Sequence, residues 1–472
     1  MPDATSHNDV IILGGGLAGL SAAHVLARAG RRVRVLEAGA AAGGLARTIV
    51  HGEFRFDLGG HRFLTPDRRI EDFVRGLLGD ELLTVRRASR IFLRRHHFDY
   101  PLQPLNALFG VGIAASFAIL LNYAKARAMM RLRRTPPLSL EDWVVAHFGR
   151  SLYEICFRDY SEKVWGIPCQ RIASEWIAQR IQGLSLGTAI RQAFSRARNA
   201  SPPTLTDEFL YPRLGIGRIA EKLQEGLGQD NAVLTNARVT AIRHRERRVA
   251  SVRVRQGDRV HEFHGGEFVS TIPLPQLAQL LQPSAPREVR EAAARLRYRD
   301  LVIVAVMLNR ARATDLTWIY FPEKSVPFGR VHEPTNWSPH MAPPGKTLLI
   351  AEHFCCRGDD IWGARDEELT ATTAAHLERL GLMRRNELLE SRVLRIPAAY
   401  PLFEIGYRGH CETVLSHLDA FPNLHVAGRG GMFRYYNMDR AIESGIAAAE
   451  SILRREPRQR SAERPAKVRR RA

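Results

Sequence analysis

Apolar positions in the first forty residues alternate between short continuous runs and a helical pattern. Val10-Ile11-Ile12-Leu13 is an unbroken apolar run of the kind used by a strand covered on both faces. Leu20 to Ala29 is rich in Ala and Leu and is closed by Gly30, which predicts a helix with a glycine stop. Arg32 to Leu36 returns to strand. Beyond about Thr65 the pattern becomes helical, over Arg69 to Leu78, Leu140 to Phe148, Leu152 to Phe157 and Ser174 to Ile181. Pro101, Pro104, Pro136, Pro137 and Pro168 mark the intervening loops. Strand-like alternation resumes at Asn231 to Ile242, Val249 to Arg255 and Glu267 to Thr271, with further apolar strands at Leu301 to Leu308 and Thr347 to Ala351. The chain then runs through a strand at Leu424 to Val426 into an Ala-rich helix ending near Ile452. This order predicts an α/β fold in two interleaved parts.

The chemistry begins at the first strand-helix junction. Gly14, Gly16 and Gly19 take the G-x-G-x-x-G spacing, with Leu17 and Ala18 among them at the mouth of the helix. Gly14 permits the tight turn, Gly16 lets backbone N–H groups approach a pyrophosphate, and Gly19 lets helix and strand pack closely. Glu37, followed by Ala38, ends the second strand eighteen positions after Gly19 (37 − 19), where a carboxylate can bond a ribose hydroxyl. A second pair, Gly43-Gly44, precedes Leu45. In this it resembles the flavin amine oxidase superfamily, in which such a pair lies along the FAD pyrophosphate. The resemblance implies FAD rather than NAD and a Rossmann-type, glutathione-reductase-like domain. The superfamily usually writes the segment GGR and this chain writes GGL, which shifts weight from plain amine oxidases to another branch.

The expected FAD-binding domain comprises 1–65, 205–275 and 395–453; 66–204 and 276–394 form a helical and mixed-sheet substrate domain, and 454–472 a basic disordered tail. With 472 residues the chain is long enough for two cores. Its net charge is +20, but of 69 basic residues 6 are Lys and 63 (69 − 6) Arg, a bias that reads as coding-sequence composition. The segment from Arg454 holds nine basic and two acidic residues, so it supplies +7 of the +20. No nucleic-acid partner is expected. The five cysteines form no C-x-x-C pair and no zinc spacing, so no metal is expected and a reduced cytoplasmic setting is the default. The N-terminal segment lacks the pattern of a secretory signal. Ala107 to Ala124 is apolar except for Ser116, Asn122 and Tyr123, and Lys125, Arg127, Arg131, Arg133 and Arg134 follow it. It is read as a buried or interfacial helix in preference to a membrane span at the lower edge of spanning length, with peripheral membrane contact through its basic flank a further option.

The C-terminal segment narrows the family. Gly428-Arg429 and the following Arg434-Tyr435-Tyr436-Asn437-Met438-Asp439 resemble the signature of UDP-galactopyranose mutase and its relatives. So do Phe56-Asp57-Leu58-Gly59-Gly60-His61, similar to the loop beside the isoalloxazine ring, and Tyr100-Pro101-Leu102, similar to the apolar loop after it. Asp159-Tyr160-Ser161-Glu162-Lys163-Val164-Trp165-Gly166 matches Y-x-x-K-x-W-G, and Leu296 to Leu301 matches an arginine-bearing strand. The matches run from about residue 10 to 453.

The resemblance implies catalytic roles for His61, Arg299, Tyr435 and Asn437, and flavin contacts from Gly60, His61, Gly428, Arg429, Asn437 and Met438. The backbone near Val239 would meet the adenine. Substrate contacts fall to Tyr160 and Trp165 as surfaces for uracil, and to Arg180, Arg299 and Arg330 around the diphosphate. Phe328 stands where bacterial mutases usually carry a tyrosine. The leading expectation is ring-contracting isomerisation of a nucleotide-linked sugar through N5 of reduced FAD, with NAD(P)H an option as external reductant. An FAD-dependent oxidoreductase of amine oxidase or protoporphyrinogen oxidase type, acting on a small organic substrate, is the rival. An anion- or membrane-binding protein with a vestigial cofactor fold is the third reading.

Overall fold

The computed structural model describes residues 9–93, 96–99, 121–126, 128–130, 135–175, 177 and 208–462. Arg180, Tyr100-Pro101-Leu102, residues 107–120 of the apolar stretch and the end of the basic tail, 463–472, lie outside the described residues. The chain divides into two compact units: residues 1–44, 220–294 and 412–472 form the first, and 45–219 and 295–411 the second.

The first unit is built on a five-stranded parallel sheet in the order Leu424–Val426, Glu267–Ser270, Val10–Leu13, Val33–Leu36, Ala232–Leu234. Val10, Ile11, Ile12 and Leu13 are all fully buried, as an unbroken apolar run requires. The helix Leu17–Arg28 packs against Met438–Ala462, and Gly445 makes the approach possible: a Cβ there would lie 2.0 Å from the Ala18 carbonyl oxygen. The latter helix continues past Ile452, and residues 454–462 of the segment expected to be disordered are helical, helped at its start by an Arg454–Glu450 pair at 3.5 Å.

The alternating stretch from Asn231 to Ile242 is not one strand. Ala232–Leu234 joins the parallel sheet, and Arg238–Arg245 joins an antiparallel one with Arg248–Gln256 and Arg259–His264. Asn236, in the left-handed region at φ 54°, breaks the run between them.

The second unit is dominated by a seven-stranded sheet, in the order Leu388–Pro401, Tyr298–Leu308, Thr347–Cys355, Arg330–His332, Trp318–Tyr320, Ser89–Leu93, His96–Asp99. Period-2 alternation sorts its residues onto two faces. Val302, Val304, Val306, Leu349 and Ala351 face a core closed by Leu369 and Leu377 of the helix Asp366–Arg379. Leu301, Ile303, Ala305, Leu348 and Ile350 face the other way, against Phe54, Phe56 and Leu58. Arg158–Trp165, stopped by Gly166 at φ 68°, packs against Thr347–Cys355, and Leu140–Phe148, started by a Ser139–Asp142 capping box, packs against the turn Tyr153–Phe157. The helix expected over Leu152 to Phe157 is a π-helical turn, Tyr153–Phe157. Among the described residues no helix is long and apolar enough to cross a membrane.

Candidate functional site

In the first unit the two glycine groups meet. Gly14 has φ +107°, and a Cβ on it would lie 2.2 Å from Thr271 Oγ1, a hydroxyl that donates to Leu13 O at 3.1 Å. A Cβ on Gly19 would come within 2.0 Å of Gly14 O. Gly43 bridges to Gly16 and donates to Gly15 O at 2.7 Å, and a Cβ on Gly44 would lie 3.1 Å from Gly16 Cα. Gly14, Gly16, Gly19, Gly43 and Gly44 therefore form one backbone-lined cradle. It opens on the helix Leu17–Arg28, whose N-cap Gly16 has no side-chain cap and whose first turn has no acid. The first N–H groups there, those of Leu17, Ala18 and Gly19, face the position where an anion is most favoured.

Glu37 braces this cradle: its Oε2 accepts from Gly15 N at 2.7 Å and its Oε1 from Gly39 N at 2.6 Å. Each carboxylate oxygen has a second lone pair, available to a ribose hydroxyl. Ala38 follows it, and Ala237 N donates to Glu37 O at 2.8 Å, two residues before Val239, which pairs with Val254. The residues fit the dinucleotide half of FAD, because every position that a side chain would obstruct is glycine.

The C-terminal signature folds onto the same unit. Gly428, at φ +80°, lies where a Cβ would be 3.1 Å from Ala18 Cβ, and its N–H donates to Ser444 Oγ at 3.0 Å. Arg429 donates from Nε to Tyr436 O at 2.6 Å and lays its guanidinium 5.4 Å from the Tyr435 ring centroid. Asn437 is exposed, and its carbonyl accepts from Ala441 N at 3.0 Å as the helix carrying Met438 begins. Between them Phe433 is fully buried at φ 48°, a strained conformation for a non-glycine residue. Ser444, placed by the helix register alone, gave no signal in the sequence.

In the second unit the structure gathers Gly60, His61 and Arg330 around a carboxylate that sequence reasoning missed, Glu352. This side chain is 1% exposed, accepts from Gly60 N at 3.1 Å and pairs with Arg330 Nη2 at 2.6 Å. Arg330 also donates to Tyr400 OH at 2.8 Å and lies 4.8 Å from the Phe354 ring and 5.4 Å from the Trp318 ring. His61 Nδ1 sits 3.1 Å from Gly59 O. His332, 3.9 Å from Glu352 Oε1, is held neutral: burial, with Arg330 and His61 adding to it, pushes its pKa down to about 3. Trp318 packs directly on Gly60, where a Cβ would meet its ring at 2.1 Å, and it carries Arg62 over its face at 5.8 Å. Tyr320 stacks on Trp318 at 5.9 Å, and Tyr160 meets Tyr320 edge-on at 5.9 Å. The result is a row of aromatic rings flanked by guanidinium groups. One signal could have found Glu352: it is the single acid in Thr347–Cys355, a strand buried throughout.

Two expected substrate residues are placed elsewhere. Arg299 is 5% exposed and donates to Val164 O at 3.0 Å, Lys163 O at 3.2 Å and Cys356 Sγ at 2.8 Å. These carbonyls belong to the last turn of Arg158–Trp165, so the guanidinium caps a helix C-terminus at the negative end of its dipole. Gly166 makes room for it, since a Cβ there would lie 2.4 Å from Arg299 Nη1. Trp165 is 1% exposed and packs edge-on against Phe403, so it serves the core and offers no stacking face. Tyr160, on the same helix, is half-buried. Leu45 is the first residue of this unit.

Among solved structures, that of reduced UDP-galactopyranose mutase resembles the chain with a TM-score of 0.83 at 22% identity, covering 94% of this chain and 95% of that one. A putative protoporphyrinogen oxidase from Exiguobacterium sp. 255-15 follows with a TM-score of 0.72 at 18% identity, over 95% and 99%. These are likenesses of fold. Among curated sequences, L-amino acid oxidase Cdc18 of Crotalus durissus cumanensis is 46% identical over 66 residues, only 14% of this chain and 13% of that protein. The profile of flavin containing amine oxidoreductases matches residues 17–453, and the chain belongs to that family.

Proposed function

We propose that the protein is an FAD-dependent enzyme of mutase type acting on a nucleotide-linked sugar. The observation that carries this reading is the aromatic row of the second unit: the half-buried Tyr160 and Tyr320 offer ring surface to a flat base, and the buried Trp318 behind them carries Arg62 and Arg330 at 5.8 and 5.4 Å. Guanidinium groups beside aromatic faces suit an anionic, base-bearing substrate and disfavour a cationic amine. The fold likeness to UDP-galactopyranose mutase supports the same reading.

In its reduced state a bound flavin supplies a nucleophilic N5, able to displace a diphosphate from an anomeric carbon. The chain's own contribution is position and charge. The cradle of Gly14 to Gly19 holds the cofactor's pyrophosphate through backbone donors, and Glu37 fixes a ribose. Arg62 is the guanidinium best placed to meet a diphosphate, since Arg330 already neutralises Glu352 and Arg299 caps a helix. The buried Glu352 holds the Gly60 turn through its bond from Gly60 N. NAD(P)H is the proposed external reductant.

The test is incubation of the purified holoenzyme with a panel of UDP-hexoses, followed by chromatographic separation of ring isomers. The expected result is ring-contracted product from the reduced enzyme and none from the oxidised one. An oxidoreductase reading is favoured by the local identity to an L-amino acid oxidase. It predicts instead that an amine or amino acid bleaches the oxidised protein with no added reductant.

A further inference from the structure

Lys163 makes an unusual set of contacts for a side chain in a family motif. Its ammonium reaches away from the helix Arg158–Trp165 into residues 321–328 and donates to Phe321 O at 2.8 Å, Glu323 O at 2.5 Å, Val326 O at 2.9 Å and Phe328 O at 3.3 Å. Three N–H donors thus serve four main-chain carbonyls, which draws the segment into a closed loop around one charge. The loop is seated on both sides. Phe321 and Phe328 are buried and meet edge-on at 5.1 Å, and Phe321 N donates to Gly329 O at 2.9 Å. On its rim Lys324 reaches back to Glu162 at 3.0 Å and Asp159 at 3.9 Å of the helix.

The two residues that this clamp places side by side are aromatic. Tyr160 lies three residues before Lys163, on the same side of the helix, and Tyr320 immediately precedes the loop. Their rings meet at 5.9 Å and 81°. We propose that Lys163 is a positioning residue for nucleobase binding: by fastening residues 321–328 to the helix, it fixes Tyr160 and Tyr320 as one pocket wall for a flat base. This inference rests on the nucleotide-sugar reading given above.

The charge on Lys163 is titratable in a useful range. Burial pushes its pKa down to about 8, with Glu323 and Asp159 acting in the opposite direction. The other titratable groups packed around it are Glu162, Lys324 and His353, the last held neutral by burial, with its pKa down at about 4. A neutral amine has two N–H donors for the same four carbonyls, so the clamp loosens as pH rises through about 8.

Calorimetric titration of the holoenzyme with UDP tests this. Lys163→Met is expected to weaken UDP binding about tenfold, as Tyr160→Ala does, while affinity for inorganic pyrophosphate is unchanged. In the wild type UDP affinity falls between about pH 7 and pH 9, whereas Lys163→Arg, charged throughout, gives a flat profile in the same buffers. That second variant decides the matter if Lys163→Met does not fold. The inference is overturned alone if Tyr160→Ala loses UDP affinity while Lys163→Met binds as the wild type does, or if the Lys163→Arg profile falls with pH alongside the wild type. A wild-type holoenzyme that binds no UDP overturns the nucleotide reading and this inference together.

Discussion

The glycine cradle of the first unit and the aromatic row of the second are encoded in opposite ways. In the cradle, function lies in backbone: Gly14, Gly19 and Gly44 work by having no side chain, and the close approaches of 2.2, 2.0 and 3.1 Å that a Cβ would make there show how little space exists. In the row, function lies in side chains that five separate segments bring together: Gly60 and Arg62 from one loop, Tyr160 from a helix, Trp318 and Tyr320, Arg330 and Glu352 from three strands. The first kind of site survives any change of neighbours that leaves it empty. The second depends on every partner being present, and a buried charge in it has no tolerance for losing its mate.

The largest effect is expected in the cradle. Gly19→Ala sets a methyl group against Gly14 O and should abolish flavin retention, read as the ratio of visible to protein absorbance in the purified protein. Next comes Glu352→Ala, which strands Arg330 and the Gly60 N–H. A loss of about 3–5 kcal/mol in urea unfolding is expected, with Glu352→Gln clearly milder because it still accepts from Gly60.

A third effect separates the row from a neighbouring buried node. Asp57 accepts from Thr48 Oγ1 and Tyr211 OH at 2.6 Å each and from Ile216 N at 3.1 Å, yet burial dominates and raises its pKa to about 7. The folded state therefore holds a proton that the unfolded state releases near pH 4. This group's contribution makes stability fall as pH rises from about 4 to 7, by up to about 1.4 kcal/mol per pH unit. Replacing it in Asp57→Asn should flatten that slope in a pH series of thermal melts. The smallest effect concerns the helix cap. Arg299→Met should cost about 2 kcal/mol of stability through three lost hydrogen bonds while leaving UDP affinity within a factor of about two. A large, selective loss of UDP affinity in that variant would restore Arg299 to the diphosphate.

This contrast also explains what could be read from the sequence. The α/β class, the strand Val10–Leu13 and the helix Leu140–Phe148 were legible because each follows from local spacing, whereas the place of Gly43-Gly44 beside the first glycine group was implied by the resemblance to flavin amine oxidases. The row was half legible. Tyr160, His61 and Arg330 could be named, but Trp318 and Tyr320 could not, since their role comes from strand register across positions far apart in the chain, and Glu352 showed only as a lone acid in an apolar strand. The structural contacts of Arg299 and Trp165 were not legible for a related reason. A motif identifies residue types at a helix end, and only the fold reveals that one caps that end and the other is sealed beneath it. The strand Leu388–Pro401 escaped notice because Pro397 and the positive φ of Ala398, 53°, interrupt its pattern.

The most direct test of the proposed function is titration calorimetry of UDP into the flavin-loaded wild type and its Tyr160→Ala and Trp165→Phe variants. The account predicts saturable binding by the wild type, at least about tenfold weaker binding by Tyr160→Ala, and near wild-type binding by Trp165→Phe, whose ring keeps the buried contact with Phe403. Absence of UDP binding by the loaded wild type, or equal binding by Tyr160→Ala, would contradict it.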